Sequence, residues 1–446
     1  MPIDRLTIVV VCDFAHVNGG GAQVALASAC ELARRGHSVF LFAAVGPIDP
    51  RLSQAGVHVI CTNQHEILNN PNRIAAAIQG IWNSKAASAM EVLLRPLDAR
   101  QTIVHIHGWV KAISSSIIPV ILRHGARFVV TIHDYATACP NGGFFNYVSG
   151  QSCHLKPLSA ACITTNCDSR NYAQKLWRVA RHYAQIGPGR FPKDVCHFIS
   201  ISEFSRSLIE RHLPSKARLY NIGNPIDIEQ LPSPRLSSRF PFVVVGRLSL
   251  DKGPLIAAEA ARRAGQELKF IGDGFLKSEI ESKYPEFKIT GWMSREGVQQ
   301  ELAGARALVF PSLWYEVQPL VVLEAAALGI PAVVADTSAA RDSVIDGETG
   351  LWFRGGDVED LAQKLRRLDD IDLVAKLGQA AYKHFWSSPP LLSRHADELE
   401  KCYELILGHH NPVRLLKRPT NLAAILHAPK GQKIPLDALN RKESEF

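Results

Sequence analysis

The 446-residue sequence lacks a hydrophobic run long enough to cross a bilayer. A membrane-spanning helix needs about 20 mostly apolar residues. The longest apolar stretch, residues 319–335, is interrupted by a glutamate, a glycine and a proline. The start of the chain also lacks the basic leader and small-residue cleavage site of a secretory signal. We therefore expect a cytoplasmic protein without a transmembrane helix.

Dinucleotide and metal motifs are missing as well. No G-x-G-x-x-G fingerprint is present, and no acidic residue ends the second predicted strand to hold a ribose, which argues against a dehydrogenase. Nine cysteines occur without an export signal, so we expect reduced thiols. Four of them lie close together in the sequence, at Cys139, Cys153, Cys162 and Cys167. Their spacing contains no C-x2-C pair, which favours free loop thiols over a structural zinc site.

Charge is distributed unevenly along the chain, whose net charge is +8. Residues 1–228 contain 22 Lys and Arg against 13 Asp and Glu, residues 229–408 contain 21 against 26, and residues 409–446 contain 7 against 3. A basic first half can face nucleic acid, anionic lipid or a phosphorylated acceptor. The basic residues are not interleaved with aromatics as in nucleic-acid-binding modules, so we expect no nucleic-acid partner.

Short apolar segments alternate with longer amphipathic ones, such as 22–35 and 111–124. Strands are predicted at 6–12, 38–44, 57–61, 103–106, 128–132 and 197–201, and again at 242–246, 268–272, 307–310 and 332–335. Fully apolar short strands separated by helices predict parallel sheets covered on both faces. The two series predict an α/β protein with two doubly wound, Rossmann-like domains, whose ligands lie at the carboxyl ends of the strands.

A proline-rich segment at 231–240 predicts a linker near the domain boundary. We place the two domains at 1–223 and 224–388, with a cysteine-containing insertion in the first at about 136–195. Residues 389–408 predict a last helix that returns to the first domain. The basic tail at 409–446 is interrupted by prolines and is predicted to be partly flexible.

Candidate site residues in the first half follow predicted strands. Gly19 and Gly20 open a helix directly after the first strand, where missing side chains and a helix N-terminus let a ligand approach the backbone. A plain tight turn explains these glycines equally well. His105 and His133 lie at the ends of two other strands. We interpret His105 as a buried structural residue and His133, which precedes Asp134 and Tyr135, as a site residue.

The second half carries more informative candidates. Arg247 and Lys252 lie in a strand-to-helix loop, where two cations can bind a pyrophosphate, although two solvated surface charges are the alternative. Glu316 lies in a later strand-to-helix loop, and Glu324 lies in an otherwise apolar stretch. A buried carboxylate needs hydrogen-bond donors, and ribose hydroxyls can supply them.

Together these segments resemble a known family. The combination of GRLSLDKG, IGDG, TGW, two glutamates separated by seven residues, and DSVIDGETGLWF is similar to family 4 of the glycosyltransferases. GGGAQVALASACELARRGHSV and ISISEFSRSLI in the first half resemble the same family. The resemblance covers about residues 6–408 and implies the GT-B fold, in which two Rossmann-like domains face a central cleft.

The resemblance implies a retaining, metal-independent glycosyltransferase of the hexosyltransferase type. Its substrates would be a UDP-, GDP- or ADP-sugar donor and a glycan or lipid-linked glycan acceptor in cell-surface polysaccharide biosynthesis. No cofactor is implied besides the donor.

The family also implies roles for individual positions. Arg247 and Lys252 would bind the donor diphosphate. Glu324 would hold the ribose, Glu316 would contact the sugar hydroxyls, and His133 would lie near the anomeric centre. The other implied donor-binding positions are Gly19, Gly20, Gly246, Gly272, Gly274, Trp292, Met293, Gln318, Pro319 and Leu320. Residues 317–319 (Val-Gln-Pro) replace the small residues usual after the first glutamate, so the resemblance does not specify the donor sugar.

Two other functions stay open, a sugar-nucleotide epimerase of the same fold and a non-catalytic nucleotide-sugar-binding protein. The joint presence of both cations and both glutamates favours transfer. Residues 170–193 are rich in basic and aromatic residues and contain no acid. They predict either a helix on an anionic membrane surface, which would place the enzyme at the inner face of the membrane, or a solvated helix packed on its own domain.

Overall fold

The computed structural model describes residues 5–230 and 240–408. The strands of the first part are β1 (Thr7–Phe14), β2 (Ser38–Val45), β3 (His58–Cys61), β4 (Thr102–Ile106), β5 (Arg127–Ile132), β6 (Phe145–Asn146), β7 (Gln151–Ser152), β8 (His197–Ser200) and β9 (Arg218–Asn221). Its helices are α1 (Gly20–Arg34), α2 (Pro50–Gln54), α3 (Arg73–Ile81), α4 (Ser84–Leu94), α5 (Ile117–His124), α6 (Ala160–Thr164), α7 (Tyr172–Ile186) and α8 (Glu203–Ile209).

The second part repeats this alternation. Its strands are β10 (Phe242–Val245), β11 (Leu268–Ile271), β12 (Lys288–Ile289), β13 (Ala307–Phe310), β14 (Ala332–Ala335) and β15 (Gly350–Phe353). Its helices are α9 (Pro254–Ala264), α10 (Lys277–Lys283), α11 (Arg295–Ala303), α12 (Leu320–Ala327), α13 (Val358–Arg367), α14 (Ile371–Ser387) and α15 (Leu392–Leu407). Short 3-10 turns lie at Glu210–His212, Leu250–Lys252 and Ala339–Ser343.

The strands form two parallel sheets and one small antiparallel hairpin, β6–β7. The first sheet has the order β3-β2-β1-β4-β5-β8-β9, and the second has the order β12-β11-β10-β13-β14-β15. Strand order reverses beside β1 in the first sheet and beside β10 in the second. The crevice at such a reversal, at the carboxyl ends of the strands, is where open α/β sheets bind ligands. The predicted α/β class with two doubly wound sheets is confirmed.

Each sheet is buried between helical layers because its strands are apolar on both sides. In β1 every residue after Thr7 is buried, and Val9 pairs in register with Phe40 of β2 and Val104 of β4. Separate apolar clusters fill the two faces of each sheet. Such continuous burial explains why these strands are recognisable as unbroken apolar runs.

The last helix, α15, packs on the first sheet although it follows the second in the chain. The Tyr403 hydroxyl lies 2.6 Å from Nδ1 of His105, whose Nε2 lies 2.6 Å from the Thr131 hydroxyl. His395 lies 3.0 Å from the Ser28 hydroxyl and 2.9 Å from the Gly223 carbonyl oxygen. Both histidines are buried. The environment of His105 is therefore that of a buried structural residue, as we interpret it from the sequence.

Several boundaries differ from the sequence expectation. Five strands are not among the predicted ones: β6, β7, β9, β12 and β15. The amphipathic stretch 111–124 is helical only from Ile117, because the Asp13 carboxylate accepts hydrogen bonds from the backbone N–H groups of residues 111–113. The predicted linker lies outside the described residues except for its last position, and so does the predicted flexible tail. In the described part of the chain, no helix is long and apolar enough to cross a membrane.

Candidate functional site

The loop after β10 carries the two predicted phosphate-binding cations. The Arg247 guanidinium is mostly exposed and lies 3.6 Å from the Asp251 carboxylate. Lys252 ends the short 3-10 turn. Gly253 follows with φ +65°, and a Cβ atom there would lie 2.2 Å from the Pro311 carbonyl oxygen. This loop is therefore held tightly against the loop that follows β13.

Lys252 and Glu316 form an ion pair across these two loops. The Lys252 ammonium contacts the Glu316 carboxylate and lies 5.4 Å from the centre of the Trp314 ring. The Ser312 hydroxyl donates to the same carboxylate at 2.9 Å. Glu316 is buried, whereas Lys252 remains partly exposed. Two side chains that are 64 residues apart in the sequence thus share one site at the strand-order reversal of the second sheet.

The backbone reinforces this pairing. The Leu313 N–H donates to the Asp251 carbonyl oxygen at 2.8 Å, and the Ser312 hydroxyl oxygen lies 3.2 Å from the same carbonyl oxygen. These bonds fix the cation-bearing loop and the glutamate-bearing loop as one unit. A ligand replacing the Lys252–Glu316 contact would therefore meet an ammonium and a carboxylate that are already positioned.

Glu324 on α12 lies close to a cation that sequence reasoning missed. Arg295, at the start of α11, approaches the Glu324 carboxylate to 3.5 Å. Burial raises the pKa of Glu324, and the nearby guanidinium acts in the opposite direction. Arg295 also donates to the Asp227 carbonyl oxygen. No motif marks Arg295 in the sequence, because its role depends on how α11 and α12 pack.

Gly272 and Gly274 have a packing function. A Cβ on Gly272 would lie 2.0 Å from the Gly246 carbonyl oxygen, and one on Gly274 would lie 2.3 Å from the Leu248 carbonyl oxygen. Only glycine allows the loops after β10 and β11 to approach so closely. Gly246 itself has φ +142°. These glycines bring the backbone after β11 next to the Arg247 loop.

The other predicted donor positions of the second sheet lie in different settings. Trp292 is 77% exposed, whereas Met293 packs on an apolar cluster. Gln318 accepts a hydrogen bond at 2.7 Å from the backbone N–H of Asn224, on the connection between the two sheets. Pro319 caps α12, and Leu320 is its first residue.

His133 lies at the carboxyl end of the first sheet. Its Nε2 atom is 3.0 Å from Nδ1 of His107, which lies two residues after His105 in the sequence. Burial lowers the pKa of His133 to about 4, so its ring is neutral at pH 7. A Cβ on Gly21 would lie 3.3 Å from the ring, so the first turn of α1 packs directly on His133. Cβ atoms on Gly19 and Gly20 would meet nothing within 4 Å.

The two sheets are joined by contacts beside the site. The Ser152 hydroxyl donates to the Leu313 carbonyl oxygen at 3.0 Å, which connects the insertion to the glutamate-bearing loop. The Phe204 N–H donates to the Asp342 carboxylate at 2.8 Å. Val317 packs into the apolar cluster of the first sheet. These contacts place the Lys252–Glu316 pair between the two sheets.

Two of the four cysteines of the insertion, Cys162 and Cys167, contact a buried lysine. The Lys175 ammonium lies 3.2 Å from the Cys167 sulfur and 3.6 Å from the Cys162 sulfur, and Lys175 is 1% exposed. Cys139 is buried nearby, and Cys153 is partly exposed. Within residues 5–230 and 240–408, no group of three or more potential ligands is placed to hold a metal ion. The structure therefore gives no support to the zinc hypothesis, and a lysine ammonium lies against two of the four thiols.

Helix α7 turns several of its basic side chains inward. A helix lying on an anionic membrane surface, one of the two predictions for residues 170–193, would expose them. Lys175 is buried against the thiols, and Arg178 pairs with buried Asp168 at 2.6 Å. The exposed stripe of α7 is instead partly apolar and contains Tyr172, Leu176 and Tyr183.

Comparisons with known proteins identify the family of this chain. Residues 18–230 match the family described as Glycosyltransferase Family 4, and residues 239–370 match Glycosyl transferases group 1. Glycogen synthase of Mycobacterium tuberculosis is 30% identical over 353 residues, which cover 74% of this chain and 76% of that protein. The chain belongs to family 4 of the glycosyltransferases.

Other relatives of this glycosyltransferase match over shorter segments. Sulfoquinovosyl transferase SQD2 of Arabidopsis thaliana is 32% identical over 37% of this chain and 36% of its own length. UDP-Gal:alpha-D-GlcNAc-diphosphoundecaprenol alpha-1,3-galactosyltransferase of Escherichia coli is 29% identical over 29% of this chain and 37% of its own length. The chain thus spans about a third of the length of these two curated relatives.

Solved structures establish the fold of the glycosyltransferase. HepE of Anabaena, crystallised with UDP and glucose, superposes with a TM-score of 0.62 at 15% identity, covering 90% of this chain and all of that one. The protein therefore has the GT-B fold, as the sequence resemblance implied.

Proposed function

We propose that this glycosyltransferase moves a sugar, with retention of anomeric configuration, from a nucleotide-sugar donor to a glycan or lipid-linked glycan acceptor. The domain at 224–388 binds the donor, and the domain at 1–223 binds the acceptor. The observation that carries this proposal is the Lys252–Glu316 ion pair, located beside Arg247 at the strand-order reversal of the second sheet. That HepE was crystallised with UDP and glucose supports a sugar nucleotide as the donor.

In the donor complex, Arg247 and Lys252 bind the diphosphate. Arg247 provides a planar fork of N–H donors, and Lys252 provides a compact charge. Glu316, released from Lys252, accepts hydrogen bonds from the sugar hydroxyls, while Glu324 accepts hydrogen bonds from the ribose. Gly19 and Gly20 leave room for the donor on the opposite side, because their Cβ positions face open space.

The reaction proceeds on one face of the sugar. The bond between the anomeric carbon and the diphosphate oxygen breaks, the acceptor oxygen bonds to the same carbon from the same side, and the leaving phosphate takes the acceptor proton. Negative charge grows on the diphosphate as it leaves, so cations already fixed there stabilise the transition state more than the bound donor. These cations take the role that a divalent metal ion would have, and transfer requires no metal.

His133 positions groups near the anomeric centre and does not act as a charged acid. Its depressed pKa keeps the ring neutral at pH 7, so it offers one N–H donor and one acceptor. The contact with His107 restricts the ring orientation. The first turn of α1, at Gly21, also packs against the ring and restricts it further.

The acceptor is a sugar chain of cell-surface polysaccharide biosynthesis, and the enzyme works at the inner face of the membrane. The E. coli relative, named for a diphosphoundecaprenol acceptor, supports a lipid-linked sugar. Exposed apolar residues on the packed helices α3 and α7, among them Ile74 at 75% and Ile78 at 63% exposure, support peripheral membrane contact. Sedimentation with vesicles tests this contact. Binding without preference for anionic over neutral lipid would count against it.

Incubation with a panel of UDP-, GDP- and ADP-sugars tests the transfer reaction. We expect slow hydrolysis or transfer for one donor class, with release of the nucleoside diphosphate. NMR of the first product should show the anomeric configuration of the donor sugar. An epimerised free sugar nucleotide would support the epimerase alternative, and the absence of any turnover with a bound donor would support a binding protein.

A further inference from the structure

A basic cavity opens beside the donor site, on the side of the first sheet. Its volume is about 600 Å³, within the usual range of about 300–1,000 Å³ for ligand pockets. Six basic side chains line it: Arg73, Lys111, Arg170, Arg178, Arg181 and Arg247. Only Glu66 and Asp134 among the lining residues are acidic. Because Arg247 also belongs to the donor loop, the cavity adjoins the proposed diphosphate site.

Most of these cations lack a carboxylate partner. In the part of the chain that the structure describes, only Arg178 and Arg247 of the six have a carboxylate oxygen within 4.0 Å, from Asp168 and Asp251 respectively. The six cations still outnumber the four acidic residues obtained when Asp168 and Asp251 are counted with the two lining acids. The cavity therefore carries a net positive charge.

The guanidinium group of Arg181 is fixed in position by neutral partners. It donates to the Val110 carbonyl oxygen at 3.1 Å and lies 5.2 Å from the centre of the Trp177 ring. Burial lowers the pKa of Arg181 to about 10, so the side chain remains charged at pH 7. Arg73 is fixed in a similar way by the carbonyl oxygens of Ile67 and Leu68. Because carbonyl groups are neutral, both guanidinium groups keep a positive charge that can attract an anion.

We propose that this cavity binds a phosphate or diphosphate group of the acceptor. The acceptor would then be a sugar that carries a phosphate ester close to the hydroxyl that receives the new residue. Several guanidinium groups converge on the cavity, and they bind phosphate oxygens through paired hydrogen bonds. The inference rests on the proposed function, since it adds an acceptor subsite to that reaction. A lipid-linked diphosphate and a free sugar phosphate share this chemistry.

Calorimetric titration with inorganic pyrophosphate tests the cavity in a Lys252→Ala background, where the donor diphosphate site is weakened. We expect pyrophosphate to bind this variant. Adding Lys111→Gln and Arg170→Gln should weaken that binding about tenfold, the loss expected for about one charge-assisted hydrogen bond. Lys85→Gln with Arg123→Gln is the matched control, since both side chains are exposed on the same half of the chain and outside the cavity.

Competition identifies the source of the phosphate. Displacement of pyrophosphate by farnesyl diphosphate but not by glucose 1-phosphate would assign a lipid-linked acceptor, and the reverse would assign a soluble phosphorylated sugar. Pyrophosphate binding that is lost with Lys252→Ala alone, or that falls equally in the control pair, would overturn the proposal. Because turnover is not measured, this result is independent of whether transfer itself is detected.

Discussion

Replacing Lys252 with alanine separates the two roles that the structure gives this side chain. In the free enzyme the Lys252 ammonium neutralises buried Glu316. In the proposed reaction it stabilises the departing diphosphate. The substitution should therefore lower both the free energy of unfolding and the turnover number, but for different reasons and by different amounts.

The magnitudes follow from the surroundings of each group. Glu316 would keep the Ser312 hydroxyl as a partner at 2.9 Å and lose its cation, which should cost about 1–3 kcal/mol of stability. A preorganised donor aimed at developing negative charge contributes about 3–4 kcal/mol, so turnover should fall by a factor of about 10²–10³. The KM for the donor should change less, because the charge on the diphosphate grows as the transition state forms.

Two further variants make this experiment specific. Adding Glu316→Gln to Lys252→Ala removes the unpaired buried charge, so stability should recover while turnover stays low. Lys269→Ala is the matched control, because Lys269 also pairs with a glutamate, Glu301 at 2.6 Å, but lies away from the site. Thermal unfolding and nucleoside diphosphate release measure the two effects. Wild-type turnover in a folded Lys252→Ala enzyme would refute the reasoning.

Three other predictions concern the first sheet and the reaction conditions. Gly21→Ala should displace the His133 ring, since the added Cβ would lie 3.3 Å from it. Turnover should fall several-fold with little loss of stability. Unchanged kinetics would show that the position of the ring does not affect turnover. His395 has a pKa of about 4 in the folded protein, below its ordinary value, so the unfolded chain binds the proton first as pH falls. Between pH 7 and pH 5 the wild type should therefore lose about 2 kcal/mol of unfolding free energy that the His395→Gln variant does not lose, as measured by denaturant unfolding. Equal losses in the two proteins would argue against a lowered pKa of His395. A chelator should leave transfer unchanged in the same nucleotide-release assay, whereas inactivation restored by a metal would contradict the metal-free mechanism.

The sheet centres were predictable from local sequence, and the edges were not. β13 and β14 are unbroken apolar runs, and β1 is one from Ile8 to Cys12, because helices cover both of their faces. β9 has the sequence RLYN and only a partly buried or exposed pattern, so its position comes from pairing with β8 and not from its composition. β15 begins with Gly350. A Cβ added there would lie 2.3 Å from the Ala332 carbonyl oxygen, so the start of this strand depends on close packing against β14.

For the site, the sequence indicated residue types at strand ends but not their partners. Arg247, Lys252 and Glu316 could be singled out because they are charged residues in the loops that connect apolar strands to the next helices. The Arg295–Glu324 contact depends on the packing of two helices, and the Gln318–Asn224 contact depends on how the two sheets are connected. Such long-range contacts leave no periodic signal in a single sequence.

Binding of a nucleotide-sugar panel to wild type, Lys252→Ala and Glu324→Gln tests the central claim most directly. A ligand that binds the native state raises its unfolding temperature by mass action. We predict that at least one UDP-, GDP- or ADP-sugar stabilises the wild-type enzyme and that both substitutions reduce this stabilisation. Equal stabilisation of all three proteins, or none by any sugar nucleotide, would contradict the assignment of this site.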